Sequence, residues 1–583
     1  RNERHKVDFC VVGGGLAGMC AAIAAARSGA KVALMHDRPM LGGNASSEIR
    51  MWVCGAHGED MRETGIIEEM MLENHYRNPD RVFSIWDSIM YEFVRFEPGI
   101  TLLLNCSCND AAMEGRRIVS VTGWQTTTQK WHTVEAELFA DCSGDSVLAP
   151  LTGADFRMGR EARAEFGEDI EPEQADACTM GMSCLIQLRQ TVKPRQFVAP
   201  QWANVYHTPD DLPNRASTIA KAGNFWWLEL GGEADSIHDT EEVRDELLKA
   251  AFGVWDFIRN RYPDPEAVNW ELDWVGFLPG KRESRRYLGE YIMTQNDVRA
   301  EGRFEDVIAY GGWTMDDHHP GGLRWPGLPT LFHPAPSPYG IPYRSLYSRN
   351  IKNLFCAGRN ISVTHAALSS TRVMATCAIV GQAVGEAAAM ATAAGCLPRD
   401  IRGEAIDELQ QRLLDADCYL PWVKRKIPEL SLKASLRASE GDPEVLRNGI
   451  ERPVGGDGNG LNVALGSGWV EYAFEEPTVV VAARVVFDSN LNRCGTSCHH
   501  NIRNNYPLDA PADGMPESLV KEFRIEALQA DGAWVIVAEV DNNRRRMVRV
   551  ELGVESCALR LIPMATWGRT EGTARLFAWD VCA

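Results

Sequence analysis

The sequence predicts an α/β fold: a domain built on a doubly wound parallel sheet, an α+β domain inserted into it, and an all-β sandwich at the C-terminal end. Three observations support this prediction. Residues 7–35 alternate strand, helix and strand around a glycine-rich turn, residues 151–340 lose that alternation, and beyond residue 445 the hydrophobic period changes to two.

The parallel-sheet domain is predicted in two pieces, residues 1–150 and a returning piece, 341–400. Apolar runs of strand length alternate with Ala-rich helical stretches in both pieces. The predicted elements are a strand over 7–12, a helix over 16–28, a strand over 31–35, a β-rich stretch over 100–140, a strand over 354–357 and a helix over 371–394.

The rest of the chain divides by pattern into three further regions. The inserted α+β domain, 151–340, is rich in Trp and punctuated by Pro and Gly. A helical connector, 401–444, precedes the predicted sandwich, 445–583. In that last region apolar residues alternate with polar ones, as in Phe523, Ile525 and Ala527.

Composition excludes several classes of protein. With 583 residues, 45% of them hydrophobic, and a net charge of −20, the chain is typical of a multidomain globular protein and a poor match to a nucleic-acid binder. No window approaches the ~20 uninterrupted apolar residues of a membrane span, so we expect no membrane partner. The sequence leaves a homo-oligomer open.

Cysteine usage bears on the compartment. The sixteen cysteines are scattered, and several lie inside apolar runs, as Cys10, Cys20 and Cys356 do, which favours reduced, buried thiols over a disulfide framework. We therefore expect a cytoplasmic protein. A removed signal peptide stays open as an alternative, because the first residue is Arg1.

A dinucleotide-binding fingerprint lies between the first strand and the first helix. Gly13, Gly15 and Gly18 fit the pattern G-x-G-x-x-G, in which the first glycine permits a tight turn and the second lets a pyrophosphate approach the backbone. The amide groups of Leu16 and Ala17, at the start of the helix, would face that anion. Asp37, 19 residues after Gly18, is the candidate ribose ligand, although His36 is the other residue at the strand end. NAD and FAD share this fingerprint.

Five segments make the sequence resemble the bacterial FAD-dependent oxidoreductases, a group within the glutathione-reductase-type flavoproteins that is distantly related to fumarate reductase and to the tRNA-modifying flavoprotein. The segments are the fingerprint, 38–48, 141–145, 282–286 and 341–385. This resemblance implies a Rossmann-type FAD-binding domain and FAD as the cofactor. The C-terminal region resembles galactose-binding-like modules in its strand pattern.

The resemblance also implies which residues hold FAD. It assigns cofactor contacts to Arg38, Gly42, Gly43, Asn44, Ser46, Ser47, Asp145, Gly358, Arg359 and Thr371. A flexible pair such as Gly42-Gly43 would let the chain run flat against the cofactor, and a surface loop is the alternative interpretation. Such flavoproteins usually have Glu at the end of the second strand, where this chain has Asp37 or His36.

Candidate catalytic residues are arginines and histidines. Arg282, Arg285 and Arg286 form a dense cationic cluster suited to a carboxylate or phosphate, with a structural salt-bridge strip as the alternative. His365, before the Ala-rich helix, is the candidate proton carrier. His57 could carry a proton or attach the flavin covalently.

Two polar clusters resemble metal sites without predicting one. Residues 316–319 read Asp-Asp-His-His, which we interpret as a substrate contact or a network that fixes a loop. Cys494, Cys498, His499 and His500 imitate a structural zinc site poorly. We predict no metal.

The sequence therefore predicts an FAD-dependent enzyme that transfers a hydride between the flavin and a polar small molecule: a carbohydrate, a hydroxy acid or an unsaturated acid. The alternatives are an NAD-dependent dehydrogenase, a binding protein that keeps the fold without the reaction, and, against the acidic charge, an RNA-modifying enzyme.

Overall fold

The computed structural model describes residues 1–493 and 505–583, and the backbone of 498 and 499. The chain divides into two compact units. Unit 1 comprises Arg1–Ala56, Asp80–Leu409 and Cys498–Ala512, and unit 2 comprises His57–Pro79, Gln410–Ser497 and Asp513–Ala583. The finer boundaries predicted from the sequence stay predictions.

The helices and strands of the described residues follow one another along the whole chain. The helices are α1 (Leu16–Arg27), α2 (Ile66–Arg77), α3 (Phe83–Arg95), α4 (Leu148–Thr152), α5 (Arg163–Phe166), α6 (Ile219–Ala222), α7 (Thr240–Asp256), α8 (Gln295–Arg299), α9 (His365–Thr371), α10 (Met374–Ala394), α11 (Glu404–Asp415) and α12 (Glu429–Lys433). The strands are β1 (Asn2–Val12), β2 (Val32–Met35), β3 (Val53–Cys54), β4 (Ile100–Leu103), β5 (Cys106–Glu114), β6 (Arg117–Gln125), β7 (Lys130–Asp141), β8 (Phe156–Arg157), β9 (Met182–Ser183), β10 (Ile186–Gln190), β11 (Glu229–Leu230), β12 (Trp270–Val275), β13 (Gly280–Lys281), β14 (Arg286–Tyr287), β15 (Val307–Gly311), β16 (Met315–His318), β17 (Thr330–His333), β18 (Tyr339–Pro342), β19 (Leu354–Cys356), β20 (Ser435–Ala438), β21 (Leu461–Ala464), β22 (Val470–Phe487), β23 (Cys498–His499), β24 (Val520–Leu528), β25 (Trp534–Val540), β26 (Met547–Thr566) and β27 (Thr573–Cys582).

The main sheet of unit 1 has the strand order β4-β2-β1-β7-β6-β5, and β19 also pairs with β7. Strands β4, β2, β1, β7 and β19 run parallel, whereas β5 and β6 are antiparallel to their neighbours. The strand order reverses at β1, so the carboxyl ends of β1, β2, β7 and β19 meet at one edge. Ligands of doubly wound sheets bind at such an edge.

Two apolar helices support that edge. α1, buried from Leu16 to Ala25, packs against α10 with very little space between the backbones. A Cβ atom on Gly381 would overlap the carbonyl oxygen of Ala17, and one on Gly385 would overlap that of Ala21. The glycines therefore permit the close helix crossing.

The Ala-rich helix predicted over 371–394 is α10, which begins at Met374, so the predicted start at Thr371 is wrong. Thr371 is the last residue of α9, and Val373 before α10 has extended backbone (φ −65°, ψ 145°). The short helix α9 was not predicted, because the composition of residues 365–373 does not show that a separate helix ends before Val373.

The stretch between β7 and β19 forms short antiparallel pairs and one long helix, α7, within unit 1. Its sheets are β11-β9-β13, β10-β12, β14-β8, β15-β18 and β16-β17. A separate hydrophobic cluster, which includes Leu247 and Trp255 of α7, forms its core.

One helix among the described residues, Met374–Ala394, is long and apolar enough to cross a membrane by length and composition. Of its most apolar 18-residue window, 94% is buried inside the protein. A core helix of a folded domain passes the same test, so this is weak evidence for a span.

Unit 2 is built on a seven-stranded antiparallel arrangement, β21-β27-β22-β26-β24-β25, with β20 beside β22. Phe523, Ile525 and Ala527 of β24 point into its core, as the period-two pattern predicts. The runs at 548–552 and 559–561 belong to the single long strand β26. Register shifts between β22 and β26 let these long strands bend around the core.

Candidate cofactor and active site

The glycine-rich turn follows the carboxyl end of β1. Gly13 has φ +106°, and a Cβ atom there would overlap the backbone of Cys142, after β7. A Cβ on Gly18 would overlap the carbonyl oxygen of Gly13, so these two glycines are required by the fold itself. At Gly15 a Cβ would meet nothing within 4 Å. The space beside Gly15 is open.

Helix α1 begins directly beside this space. Its N-terminus has no side-chain cap among the described residues, since Gly15 occupies the cap position. Leu16 and Ala17 contribute the first backbone amide groups of the helix. An uncapped helix N-terminus next to an open glycine is the arrangement that binds a phosphate group.

The second strand ends at Met35, so His36 takes the strand-end position and Asp37 the next. The buried His36 accepts a hydrogen bond from the Gly14 amide at Nδ1 (3.0 Å) and bonds the Met40 carbonyl through Nε2 (2.9 Å). Burial lowers its pKa, which keeps the ring neutral for this role. The Asp37 side chain is 54% exposed. Asp37 and the half-buried Arg38 stay predictions as adenosine-side contacts.

The Gly42-Gly43 pair lies against the fingerprint, as its flexibility suggests. Gly42 (φ +104°) donates its amide to the Gly14 carbonyl (2.8 Å), and a Cβ on Gly43 would lie 3.3 Å from the Cα of Gly15. The loop therefore forms a second side of the open space.

The side chains after this pair make contacts within the protein. Asn44 donates to the carbonyl of Lys281 (3.0 Å), and Ser46 donates to that of Gly43 (2.8 Å). Ser47 is anchored through its amide to Asp87 (3.0 Å). Their predicted flavin contacts are untested.

Asp145 and Arg359 form an ion pair (2.5 Å) that joins the turn after β7 to the turn after β19. Asp145 also accepts from Lys281 (2.8 Å) and Ser284 (2.8 Å). Burial alone would raise the pKa of Asp145, but Arg359 and Lys281 outweigh it and lower the pKa to about 2. These side chains hold the two turns together. Gly358 (φ +110°) makes the sharp turn before Arg359.

His365 is the first residue of α9 and is completely enclosed. Its Nδ1 lies 2.8 Å from Glu283, and its Nε2 lies 3.2 Å from Asp317. Burial alone would lower the pKa of His365, but Glu283 and the hydrogen bond with Asp317 raise it well above its usual value. The same contacts lower the pKa values of both carboxyls against the opposing effect of burial. The group is an imidazolium between two carboxylates.

Three glutamates that sequence analysis missed surround the start of α9. Glu161 accepts from the His365 amide (2.9 Å), Glu171 from the Ala366 amide (2.8 Å), and Glu168 from the Thr364 hydroxyl (2.7 Å). Carboxylates near the first turn of a helix are favourable. The glutamate-rich stretch 161–173 was the available signal, but spacing could not show which side chains converge on α9.

The predicted arginine cluster is split by the structure. Arg286 is buried in ion pairs with Glu161 (2.6 Å) and Glu283. Arg282 donates to Ser183 Oγ and the Trp226 carbonyl, each at 2.9 Å. Arg285 instead lies over the Phe156 ring (5.4 Å). Since Arg282 and Arg286 are held by protein groups, the expected joint grip on a substrate anion is not preformed.

Residues 316–319 lie on and after β16 and form a network. The buried His318 contacts Glu229 (2.6 Å) and Asp316 (3.3 Å), and Asp316 pairs with Arg372 (3.1 Å). Burial opposes a raised pKa at His318, but Glu229 and Asp316 raise it. Asp317, between these residues in sequence, contacts His365 instead.

The remaining predicted site residues lie elsewhere. His57 belongs to unit 2 and is partly buried. Thr371 is buried at the end of α9, and its hydroxyl has no hydrogen-bond partner among the described residues. Cys494, Cys498, His499 and His500 lie outside the residues whose side chains are described.

A single segment connects the cofactor edge with His365. Lys281 and Ser284 contact Asp145, while Glu283, between them in sequence, contacts His365. The open space at Gly15, the uncapped helix and the Gly42 loop fit the diphosphate of FAD. The turn that contains Arg359 follows β19, which pairs with β7 in the same sheet. A molecule as long as FAD would need further contacts of this kind beyond its diphosphate.

Two solved structures illustrate the likeness of this chain to known folds. A geranylgeranyl bacteriochlorophyll reductase-like protein from Thermoplasma acidophilum is 11% identical, over 71% of this chain and 84% of its own, with a TM-score of 0.29. The family 32 carbohydrate-binding module of Streptococcus pneumoniae EndoD is 16% identical, over 27% of this chain and 97% of its own, with a TM-score of 0.19. At these TM-scores neither likeness carries an argument. No curated protein matches the sequence.

A protein-family model, by contrast, matches most of this chain. The model of the FAD dependent oxidoreductases matches residues 8–413, which include the fingerprint, the Gly42 loop, the Arg359 turn and His365. This match favours FAD over a nicotinamide-only cofactor, and an enzyme over a non-catalytic binding protein. The chain belongs to the FAD dependent oxidoreductase family and is an FAD-dependent oxidoreductase.

Proposed function

We propose that this oxidoreductase transfers a hydride between FAD and a polar small molecule, and that His365 and Asp317 handle the accompanying proton. The buried imidazolium between two carboxylates is the observation that carries the proposal. When bound, FAD supplies a ring that gives or takes a hydride.

The arrangement suits proton donation. His365 is buried, but the Asp317 side chain is 20% exposed, so Asp317 is the part of the pair nearest to solvent. A proton held on Nε2 of His365 can pass through the Asp317 carboxylate to a substrate in contact with it. Glu283 keeps the ring oriented and favours its charged form.

A proton donor beside the substrate, rather than a proton acceptor, favours one of the three proposed substrate classes. Reduction of a double bond takes up one hydride and one proton, which is what a flavin and a protonated histidine together supply. Oxidation of an alcohol needs a proton acceptor instead. We therefore place an unsaturated acid ahead of a carbohydrate or a hydroxy acid as the substrate.

Anaerobic flavin spectroscopy tests the proposal. The FAD-loaded protein, chemically reduced, is mixed with a panel of unsaturated acids, and the oxidised protein with sugars and hydroxy acids. We expect the absorbance of oxidised flavin to return with a member of the first panel. If no compound in either panel changes the flavin spectrum, the proposed substrate classes are wrong.

Two variants test the proton path. His365→Gln and Asp317→Asn should retain FAD but slow flavin oxidation by substrate by a factor of about 10² to 10⁴, the typical contribution of general acid catalysis. His319→Gln is the matched control, because that ring stacks on Trp325 (3.9 Å) and is not part of the pair. Unchanged rates in both test variants would remove the pair from the mechanism.

A further inference from the structure

Unit 2 contains a cavity of about 230 Å³ that the redox site does not use. Two loops form its walls, the one after α11 and the one from Gly449 to Val454. They are joined by a hydrogen bond from the Arg425 amide to the Gly449 carbonyl (3.0 Å). All the residues that line the cavity belong to unit 2.

The residues that line the cavity include an excess of cations, although the chain as a whole is acidic. Its cationic residues outnumber its carboxylates: Lys424, Arg425, Arg452 and Arg546 against Asp417 and Glu451. Glu451 is already paired with Arg425 (2.7 Å) and with Arg484 behind it (2.7 Å). Burial raises the pKa of Asp417 to about 6, which leaves this carboxyl largely ionised at neutral pH and paired with Arg546. Arg425 also pairs with Asp415 (3.2 Å) and Asp580. The charge available to a ligand therefore depends on Lys424.

The floor of the cavity is rigidly built. Arg452 lies over the Tyr419 ring (4.3 Å) and donates to the Arg62 carbonyl (3.0 Å) and the Thr64 hydroxyl (3.0 Å). Arg546 donates to Asp417 and to the Glu451 carbonyl. These contacts fix the positions of two guanidinium groups beneath the cavity.

The rim carries an aromatic ring and a cation. Trp422 is 44% exposed and has φ +67°, and Asp417 has φ +63°. A left-handed backbone at a residue as bulky as Trp is strained, and such strain concentrates where loops clamp ligands. Lys424 is exposed, with no ion pair found for it within the part of the chain that the structure describes.

We propose that this cavity binds a small organic anion that carries one ring and one carboxylate, with the ring against Trp422 and the carboxylate at Lys424. The volume admits a single six-membered ring rather than an oligomer. Aromatic side chains stack on sugar and aryl rings alike, so a uronic acid and an aromatic acid share the required chemistry. The proposal does not depend on the reaction of unit 1.

Calorimetric titration of the full-length, FAD-loaded protein tests this site. The probes are D-galacturonate and benzoate, which carry both a ring and a carboxylate, and galactose and acetate, which each lack one of them. We expect at least one of the two ring acids to bind with a dissociation constant of about 1 mM or lower. Which of them binds identifies the source of the ring.

Two variants test whether the ligand binds in this cavity. Lys424→Met and Trp422→Gly should each weaken binding about tenfold or more, and glycine at 422 keeps the left-handed backbone. Lys426→Met, on the same loop, should bind as the unmodified protein does.

Three results would overturn the proposal: no binding of either ring acid, equal binding of galactose or acetate, or unchanged affinity in both test variants. The flavin spectrum separates this test from that of the redox site. It should stay constant with benzoate, which carries no hydroxyl group for the flavin to oxidise, and a spectral change with D-galacturonate or galactose would be assigned to the redox site of unit 1.

Discussion

The three glycines of the fingerprint are required for different reasons, and single substitutions separate them. A Cβ at Gly18 would overlap the Gly13 carbonyl, whereas one at Gly15 enters open space with an ordinary φ of −67°. We expect Gly15→Val to fold with a melting temperature close to that of the unmodified apoprotein but to purify without flavin absorbance. Gly18→Val should lose both FAD and thermal stability.

The comparison between these two variants is decisive. Circular dichroism measures the fold, and flavin absorbance per protein measures retention. If Gly15→Val purified fully loaded with FAD, the open space beside α1 would not be the diphosphate site.

Glu171 gives the stability of unit 1 a pH dependence of predictable sign. Burial raises its pKa from 4.5 to about 7. The folded state therefore holds this proton more tightly than the unfolded state, and the free energy of unfolding should fall between about pH 4.5 and 7, by about 3 kcal/mol at most. Glu171→Gln, which can still accept from the Ala366 amide, should remove this decrease.

Urea unfolding at pH 5, 6, 7 and 8 measures the effect. Glu173→Gln is the control, since the Glu173 side chain is 79% exposed and pairs with Arg163 at the surface. A Glu171→Gln protein with the same slope against pH as the unmodified protein would show that this carboxyl titrates normally.

At the scale of residues, sequence patterns located the two glycine-rich loops better than the charged groups around His365. The fingerprint and the Gly42 pair were predictable because backbone geometry demands glycine there. His365 was selected from the sequence as a candidate proton carrier, a role that stays a prediction, and Glu283 and Asp317 were not predicted as its partners. Those partners lie 82 and 48 residues away in sequence, and only the folded chain brings them together.

At the scale of elements, the α1–α10 crossing determines how the fingerprint is supported. Gly385→Ala would gain about 1 kcal/mol of helix propensity, but its Cβ would overlap the Ala21 carbonyl. Because a packed interface relaxes only partially, we expect a net loss of about 1–3 kcal/mol in the free energy of unfolding. Chemical denaturation and FAD retention measure this loss.

Gly514→Ala serves as the control for that substitution. A Cβ at Gly514 would meet nothing within 4 Å, so its stability should be unchanged or slightly higher. If Gly385→Ala left the free energy of unfolding unchanged, α1 and α10 could move apart at no energetic cost.

Hydrophobic patterns predicted the elements themselves more reliably than their ends. The first strand and α1 follow from apolar runs of strand and helix length, and β24 follows from the period-two alternation. The short helix α9 was missed and the start of α10 was placed three residues early, because Ala and Thr occur in both helices and only the backbone of Val373 marks the boundary.

At the scale of the whole molecule, composition predicted a multidomain globular chain, but the discontinuous units were not visible in it. Unit 2 includes residues 57–79, which lie far from its other segments in sequence. No local pattern marks such an exchange of segments, because nothing in the composition of α2 (Ile66–Arg77), which is buried along most of its length, says which unit covers it.

The net charge of −20 makes a prediction about partners that distinguishes a small-molecule enzyme from one acting on RNA. Binding to a phosphate backbone releases counterions and requires clustered Lys and Arg, and non-specific affinities at physiological salt are typically about 10⁻⁴ to 10⁻⁶ M. With acidic residues in excess, we expect a tRNA transcript to migrate unchanged in a gel at micromolar protein. A shift that weakens steeply as salt rises would instead reveal a phosphate-binding face, and RNA would then replace the unsaturated acid as the leading substrate.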